Sequence, residues 1–339
     1  MDERRHSIKN VDQAILRGCT LSKACGCLQA ANSRPVKIRA APLFAFPFFV
    51  RPHLVRVELT TAEIRRAVRA ALAEDLGGGD VTTLATVPLK AKSVALMRAR
   101  ELLVVAGIQF AEIAFRELSS KIEIEKFVRD GARLKAGDTL LKISGPSRAL
   151  LSAERVALNF VQRLSGVATA TAQFTDAGKG TNAKILDTRK TTPGWRRFEK
   201  YAVACGGGKN HRLGLFDLVL IKDNHLVTLR NEKPNAIAAA VLRARKKFPK
   251  LRVEVEADTL EQVAQAADAG ADIILLDNMT TAQLRQAVKI VRRRAQTEAS
   301  GGVNLKTVRA IAQTGVNFIS VGAITHSARA VDIGLDFEN

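Results

Sequence analysis

The sequence predicts an α/β protein whose C-terminal half is a parallel barrel. Three observations predict it. Short, mostly apolar runs recur at Lys184–Leu186, Leu218–Ile221, Leu251–Val255, Asp272–Leu276, Thr297–Ala299 and Phe318–Val321. Helical patterns follow most of them, at Ile237–Lys247, Leu260–Ala269, Ala282–Arg293 and Leu305–Thr314. Apolar strands separated by such helices are buried on both faces, as in parallel βα units. Polar residues then follow every run: Asp187, Arg189 and Lys190; Lys222, Asp223 and Asn224; Glu256; Asp277 and Asn278; Ser300, Gly301 and Gly302; Gly322 and Ala323. In a parallel barrel these positions form the C-terminal rim, where βα-loops build sites.

The first half reads differently. Residues 1–56 carry ten basic and three acidic residues, several breakers and the run APLFAFPFFVRP, with no long periodic pattern. They are expected to be a poorly structured extension, a targeting piece or upstream sequence, without chemistry. Regular structure begins near Leu59. Thr60 or Thr61 caps a helix with Glu63 in its first turn and Ile64, Val68, Ala71 and Leu72 on one face. Gly77-Gly78-Gly79 ends it. Strand-like pieces follow at 92–98, 101–105, 122–128 and 139–143, with a helix over Gly107–Glu117 between them. Leu151 to about Phe174 is a long helix with Val156, Phe160, Val161 and Leu164 apolar. The turns of VRDGARLKAGDTLLKISG resemble a lysine-carrying carrier domain, but no lysine sits at a convincing hairpin tip.

Composition bounds the function. The 339 residues include 53 Lys and Arg against 33 Asp and Glu, a formal charge of +20, so the chain favours anions. Trp195 and Tyr201 are the only Trp and Tyr, which argues against a single-strand stacking platform and against nucleic acid as the partner. The longest apolar stretch, Ala40–Val50, contains Pro42 and Pro47 and is about half a membrane span. Cys19, Cys25, Cys27 and Cys205 do not form a disulfide framework, so a reducing compartment such as the cytoplasm is expected.

The rim residues suit anionic substrates. Arg189 and Arg212 offer planar forks for carboxylates, while Lys190 and Lys222 offer point charges for phosphate or diphosphate. His211 adds a donor whose charge the sequence does not fix. Gly301-Gly302 and Gly322 precede helices and allow close backbone approach to a phosphate. Glu256 and Asp277 are hard oxygen donors for Mg²⁺, or groups that steady a sugar or a developing cation. No HExxH, paired CxxC, nucleophile elbow, P-loop or GxGxxG is present. Lys190 and Lys222 keep a Schiff-base aldolase open as an alternative.

At these residues the chain resembles the quinolinate phosphoribosyltransferase family, also called nicotinate-nucleotide pyrophosphorylase (carboxylating). The resemblance lies in EDLGGGDVTT (74–83), SAERVALNFVQRLSGVAT (152–169), ILDTRKTTPGWRRFEKYAVACGGGKNHRLGLFDLVLIKDNH (185–225), VEVEADTL (253–260), ILLDNM (274–279), ASGGVNLKTVRAIAQTGVNFISVGAITHSA (299–328) and DIGLDF (332–337). It implies an α/β protein of the type II phosphoribosyltransferase class. An N-terminal α/β sandwich domain with its linking helix would occupy 57–165. An incomplete six-stranded α/β barrel would occupy 166–339, its tail packing back on the first domain. The implied reaction joins quinolinate to 5-phosphoribosyl diphosphate (PRPP), giving nicotinate mononucleotide, diphosphate and CO₂ with Mg²⁺ as cofactor. The resemblance also implies a homodimer, in some members assembled further. Quinolinate would meet Arg189, His211, Arg212 and, from the partner subunit, Arg155, with Lys190 and Lys222 beside them. Glu256 and Asp277 would face the ribose, diphosphate and metal, with Lys190 and these two acids as the catalytic set. Ser300, Gly301, Gly302, Gly322 and Ala323 would line the phosphate end. Molybdenum-associated relatives that share the fold are the nearest alternative.

Overall fold

A computed structural model describes residues 57–338. The extension expected over residues 1–56, with Cys19, Cys25 and Cys27, lies outside the described residues.

Thr60 starts helix α1 (Thr61–Leu76) through a reciprocal cap. Its hydroxyl accepts from the Glu63 N–H at 3.2 Å, and Glu63 accepts from the Thr60 N–H at 3.0 Å. Ile64, Val68 and Leu72 form the buried stripe. A short helix, α2 (Val81–Thr86), is capped by Asp80, which accepts from the Thr83 N–H at 3.0 Å. Then come β1 (Lys92–Ala99), β2 (Leu103–Val104), α3 (Ile108–Leu118), β3 (Glu123–Lys126), β4 (Arg133–Leu134), β5 (Thr139–Pro146) and the 31-residue α4 (Ser147–Ala177). The final strand, β12 (Ile333–Glu338), pairs antiparallel with β1, from Ala99 opposite Ile333 to Val94 opposite Glu338. The resulting antiparallel sheet has the order β12-β1-β5-β3. Helices α3 and α4 pack on one another, and α4 touches β1, β5 and β12, giving the expected layered arrangement of helices on a sheet.

The expected strand over 101–105 shrinks to two residues, which pair only with the two residues of β4. Such short ladders carry too few residues for a two-residue period to be read. Helix α4 begins four residues before the expected Leu151, because Pro146 fits the position just ahead of a first helical turn.

The second sheet is built from β6 (Lys184–Leu186), α5 (Arg196–Cys205), β7 (Val219–Ile221), α6 (Asp223–Val227), α7 (Ala236–Lys247), β8 (Val253–Ala257), α8 (Leu260–Asp268), β9 (Ile273–Asp277), α9 (Thr281–Val291), β10 (Gln296–Ser300), α10 (Val308–Ala312), β11 (Phe318–Ser320) and α11 (Ala323–His326). All six strands are parallel, in the order β6-β11-β10-β9-β8-β7. β6 and β7 are the two edges and do not pair, so the barrel is incomplete there. Lys209 makes a parallel bridge to Leu186 and lays the 206–218 loop along the β6 edge. α5 is absent from the helices read in the sequence. α10 starts three residues later than expected, because the Asn304 side chain accepts from the Lys306 and Thr307 N–H groups at 3.0 and 3.2 Å and makes a turn first. Among the described residues no helix is long and apolar enough to cross a membrane.

α4 lies against both halves, and Gly166 allows one crossing. A Cβ there would fall 2.0 Å from the Arg329 carbonyl oxygen in the segment leading to β12. Gly166→Ala is therefore expected to cost about 1–3 kcal/mol through overpacking. Denaturant unfolding of the full chain checks this, and an unchanged midpoint would show that the crossing has room.

Candidate active site

The site is assembled on Asp187, fully buried just past β6. Its carboxylate is ion-paired with the buried Lys200 of α5. It also accepts from Asn210 Nδ2 at 2.7 Å and the His211 N–H at 2.8 Å. Lys200 Nζ donates onward to the His211 carbonyl at 3.0 Å. Burial pushes the Asp187 carboxyl up and the Lys200 amine down, while their mutual attraction opposes both changes. The hydrogen bonds around the pair offset the cost of burying it. This network pins residues 209–212 across the β6 edge.

A second buried carboxylate fixes the loop after β6. Glu199 accepts from the Thr192 N–H at 3.1 Å, the Thr192 hydroxyl at 2.8 Å and Arg163 Nη2 at 2.9 Å. Thr325 of α11 donates to the Lys190 carbonyl at 2.7 Å. Arg189 and Lys190 are thus carried on a tethered loop.

Two half-buried arginines meet in this region. Arg189 Nε is buried without a hydrogen-bond partner. Arg212 donates weakly to the Leu218 carbonyl at 3.5 Å. Burial and the neighbouring Arg189 charge hold the Arg212 pKa below its ordinary value, against the pull of Glu254 and Asp217. Neither arginine forms an ion pair among the described residues. Two adjacent guanidinium groups with no carboxylate of their own suit an incoming anion.

The remaining rim residues form a chain around the strand ends. Lys222 is ion-paired with Glu256. Asp277 stands beside Ser300 in register and accepts from Asn278 Nδ2 at 2.7 Å. The Asn278 N–H donates to the Ser300 carbonyl at 3.0 Å. Gly301 has φ +93°, and a Cβ on it would fall 2.1 Å from Asn278 Oδ1, so only glycine fits. The position a Gly302 Cβ would take is open. A Cβ on Gly322 would lie 3.1 Å from Lys190 Cδ, which joins the β11 end to the β6 end. Ala323 begins α11 beside it and is half-buried. Arg155 is exposed on α4 and makes no hydrogen bond or ion pair with a rim residue of its own chain among the described residues.

Glu256 and Asp277 offer only carboxylate oxygens at adjacent strand ends. With Lys222 beside them they carry a net charge of −1, a donor set that fits a hard cation shared with phosphate oxygens. The structure also holds a group the sequence reading missed. His211 Nε2 lies 3.2 Å from Glu254 Oε2 and 3.6 Å from Glu298 Oε1, and the three side chains form a potential metal-ligating cluster. Glu254 and Glu298 are buried in β8 and β10. Their signal was a charged residue in the interior of a parallel strand, most visible in the alternating VEVEA of β8. Asp187 was seen in the sequence as a polar rim residue, and its anchoring partner Lys200 was not.

The comparisons with known proteins agree with this fold. Residues 80–165 match the N-terminal domain of the quinolinate phosphoribosyl transferase family, and residues 167–336 match its C-terminal domain. A nicotinate-nucleotide pyrophosphorylase [carboxylating] from Mycobacterium leprae is 45% identical over 278 residues, covering 80% of this chain and 96% of the relative. A tobacco (Nicotiana tabacum) quinolinate phosphoribosyltransferase [decarboxylating], designated mitochondrial, is 41% identical over 294 residues, covering 82% of this chain and 83% of the relative. The structure of the Francisella tularensis nicotinate-nucleotide pyrophosphorylase superposes with a TM-score of 0.78 at 39% identity, covering 84% of this chain and 99% of that one.

The buried cluster predicts a pH dependence of stability. Burial, then repulsion from Glu254, pushes Glu298 up to about 7 against the opposing charge of His211. Burial works against a charged His211 ring, but Glu298 and Glu254 outweigh it and raise the ring to about 9. Both shifts mean that the folded cluster keeps protons that the unfolded chain releases. The stabilisation from Glu298 is complete below its ordinary value of 4.5 and is lost as pH rises through about 7. That from His211 is complete below 6.5 and lost through about 9. Melting temperature is expected to fall with pH more steeply in the wild-type chain than in Glu298→Gln, which cannot ionise. Parallel curves for the two proteins would contradict the assignment.

Proposed function

The chain belongs to the quinolinate phosphoribosyltransferase family, and on that premise we propose that the cationic rim of its incomplete barrel joins quinolinate to PRPP. The activity is that of nicotinate-nucleotide diphosphorylase (carboxylating), EC 2.4.2.19, a step of NAD biosynthesis. The observation that carries the reading is the pair of half-buried arginines, Arg189 and Arg212, neither of which forms an ion pair among the described residues. A pyridine with two adjacent carboxylates supplies the anion they lack.

In this reading Arg189 and Arg212 clamp the two ring carboxylates, with His211 supporting them from beneath, Lys190 and Lys222 adding positive charge and the partner subunit's Arg155 closing the cup in a homodimer. The ring nitrogen attacks the anomeric carbon of PRPP, and the bond to diphosphate breaks. Positive charge develops on the ribose, and Glu256 and Asp277 stabilise it electrostatically. Ser300, Gly301, Gly302, Gly322 and Ala323 present backbone to the 5-phosphate. Glu256 and Asp277 would hold Mg²⁺, which supplies charge compensation for the diphosphate. Once alkylated, the ring nitrogen is cationic. Its charge stabilises the electron pair left on C2 when the adjacent carboxylate leaves as CO₂, and that pair takes up the proton Lys190 delivers. The substrate is its own electron sink, so no pyridoxal-type cofactor is required.

The division into a sandwich domain over 57–165 and a barrel domain over 166–339 belongs to the same reading, as does a cytoplasmic location, which fits the cysteine usage. Dimers that assemble further are compatible with it.

Arg189→Ala is expected to fold and to lose about 10- to 100-fold in kcat/KM for quinolinate, the worth of one charge-assisted hydrogen bond of about 1.5–3 kcal/mol. Release of CO₂ and nicotinate mononucleotide, with circular dichroism as the folding control, measures it. A folded variant with wild-type turnover would remove Arg189 from the site. Arg155→Ala and Lys190→Ala proteins, each weak alone, are expected to recover activity when mixed, because a hybrid dimer contains one intact site. No recovery in verified hybrids would count against a shared site.

A further inference from the structure

Glu254 and Glu298 take no part in the chemistry just described, yet they are almost completely buried at 0% and 1% exposure. Each sits two residues before a rim residue on its strand, Glu256 and Ser300, and so shares that residue's face of the sheet. β9 lies between their strands. Its Leu275 is in register with both Glu256 and Glu298, and its Ile273 with Glu254. The two carboxylates therefore converge one layer below the rim. None of their four oxygens has a hydrogen-bond partner among the described residues. What they face is the His211 ring, at 3.2 and 3.6 Å.

The other side of that ring is also occupied. The Arg212 backbone N–H donates to His211 Nδ1 at 2.7 Å. In this arrangement, which is that of the neutral ring, Nε2 carries the hydrogen on the side of the carboxylates, and a proton added at Nδ1 would displace the Arg212 N–H. Buried carboxylates without full partners are costly, and apolar residues of similar size would fill β8 and β10 more cheaply. Their charge therefore needs a use, and its nearest object is the one ring between them and the arginine pair.

We propose that Glu254 and Glu298 are positioning residues for quinolinate capture, holding the His211 ring, and the Arg212 backbone bonded to it, in place beneath the anion cup. The proposal rests on the reading of the rim as the quinolinate site. Both groups are too deeply buried to touch the substrate. Their effect is on its binding, transmitted through His211.

Steady-state kinetics on the full chain tests this with Glu254→Gln, Glu298→Gln, His211→Gln and the double variant H211Q/E298Q. The expected result for the two single glutamate variants is a KM for quinolinate raised about 10-fold, equivalent to about 1.4 kcal/mol, with KM for PRPP and kcat nearly unchanged. The double variant is expected to be no worse than His211→Gln alone, since both changes break one linkage. Should a glutamine variant fail to fold, Glu298→Leu, which removes the buried charge altogether, is expected to fold and to show the same loss of quinolinate affinity. Equal changes in both KM values, additive losses in the double variant, or unchanged kinetics in folded variants would overturn the proposal. So would one equivalent of tightly held divalent metal in the wild-type protein that is absent from the glutamine variants, since the cluster would then be a metal site. If the wild-type chain itself does not turn over quinolinate, the underlying reading fails instead.

Discussion

The site depends on one buried ion pair, Asp187 with Lys200, placed where the barrel is open. β6 and β7 do not pair, so the sheet itself does not hold the ends of the rim together. The 206–218 loop lies along that edge, and Asp187 fastens it through the Asn210 side chain and the His211 backbone. Arg189 follows Asp187 by two residues, and Arg212 follows Asn210 by two. The ion pair therefore sets the spacing of the two arginines. Removing either partner would leave the other charged and buried, a loss usually worth several kcal/mol. The barrel's open edge and its anion clamp thus share one anchor.

Charges in the site are arranged by depth. At the rim, cations outnumber acids: Arg189 and Arg212 are unpaired, while Lys222 is matched by Glu256. One layer below, the excess reverses, with Glu254 and Glu298 both beside His211. A cup made solely of cations would repel itself before substrate arrives. Negative charge beneath the floor offsets part of that repulsion without competing for the anion, because it is buried beyond the substrate's reach. The pull of Glu254 on Arg212, opposing burial and Arg189, is a direct sign of this compensation.

The parts of the fold visible in the sequence were those with long or repeated patterns. The apolar runs at 184–186 and 318–321 fall within a residue of β6 and β11, because a strand buried on both faces has sharp polar ends. The Thr60–Glu63 cap was legible because both halves of the motif are local. β4 was missed because it has two residues, and α5 because its polar composition, RRFEKYAVAC, hides its buried face. In that helix Glu199 and Lys200 are buried together with Ala202 and Val203, and hydropathy assigns the two charged residues to solvent.

The same reasoning separates rim from floor. Arg189, Lys222, Glu256 and Asp277 stood out because polar residues at the ends of apolar strands are open to reading by position alone, and Arg212 because it sits in a polar loop rich in Gly and Asn. Glu254 and Glu298 lie inside strands, where position predicts an apolar side chain. A charge there reads as a blemish in the pattern until its partner is known, and that partner, His211, precedes Glu254 by more than forty residues and Glu298 by more than eighty. Local pattern therefore reveals where a substrate's charge is met. It does not reveal what holds the meeting groups still, since that support comes from strands distant in sequence and adjacent only once the barrel has formed.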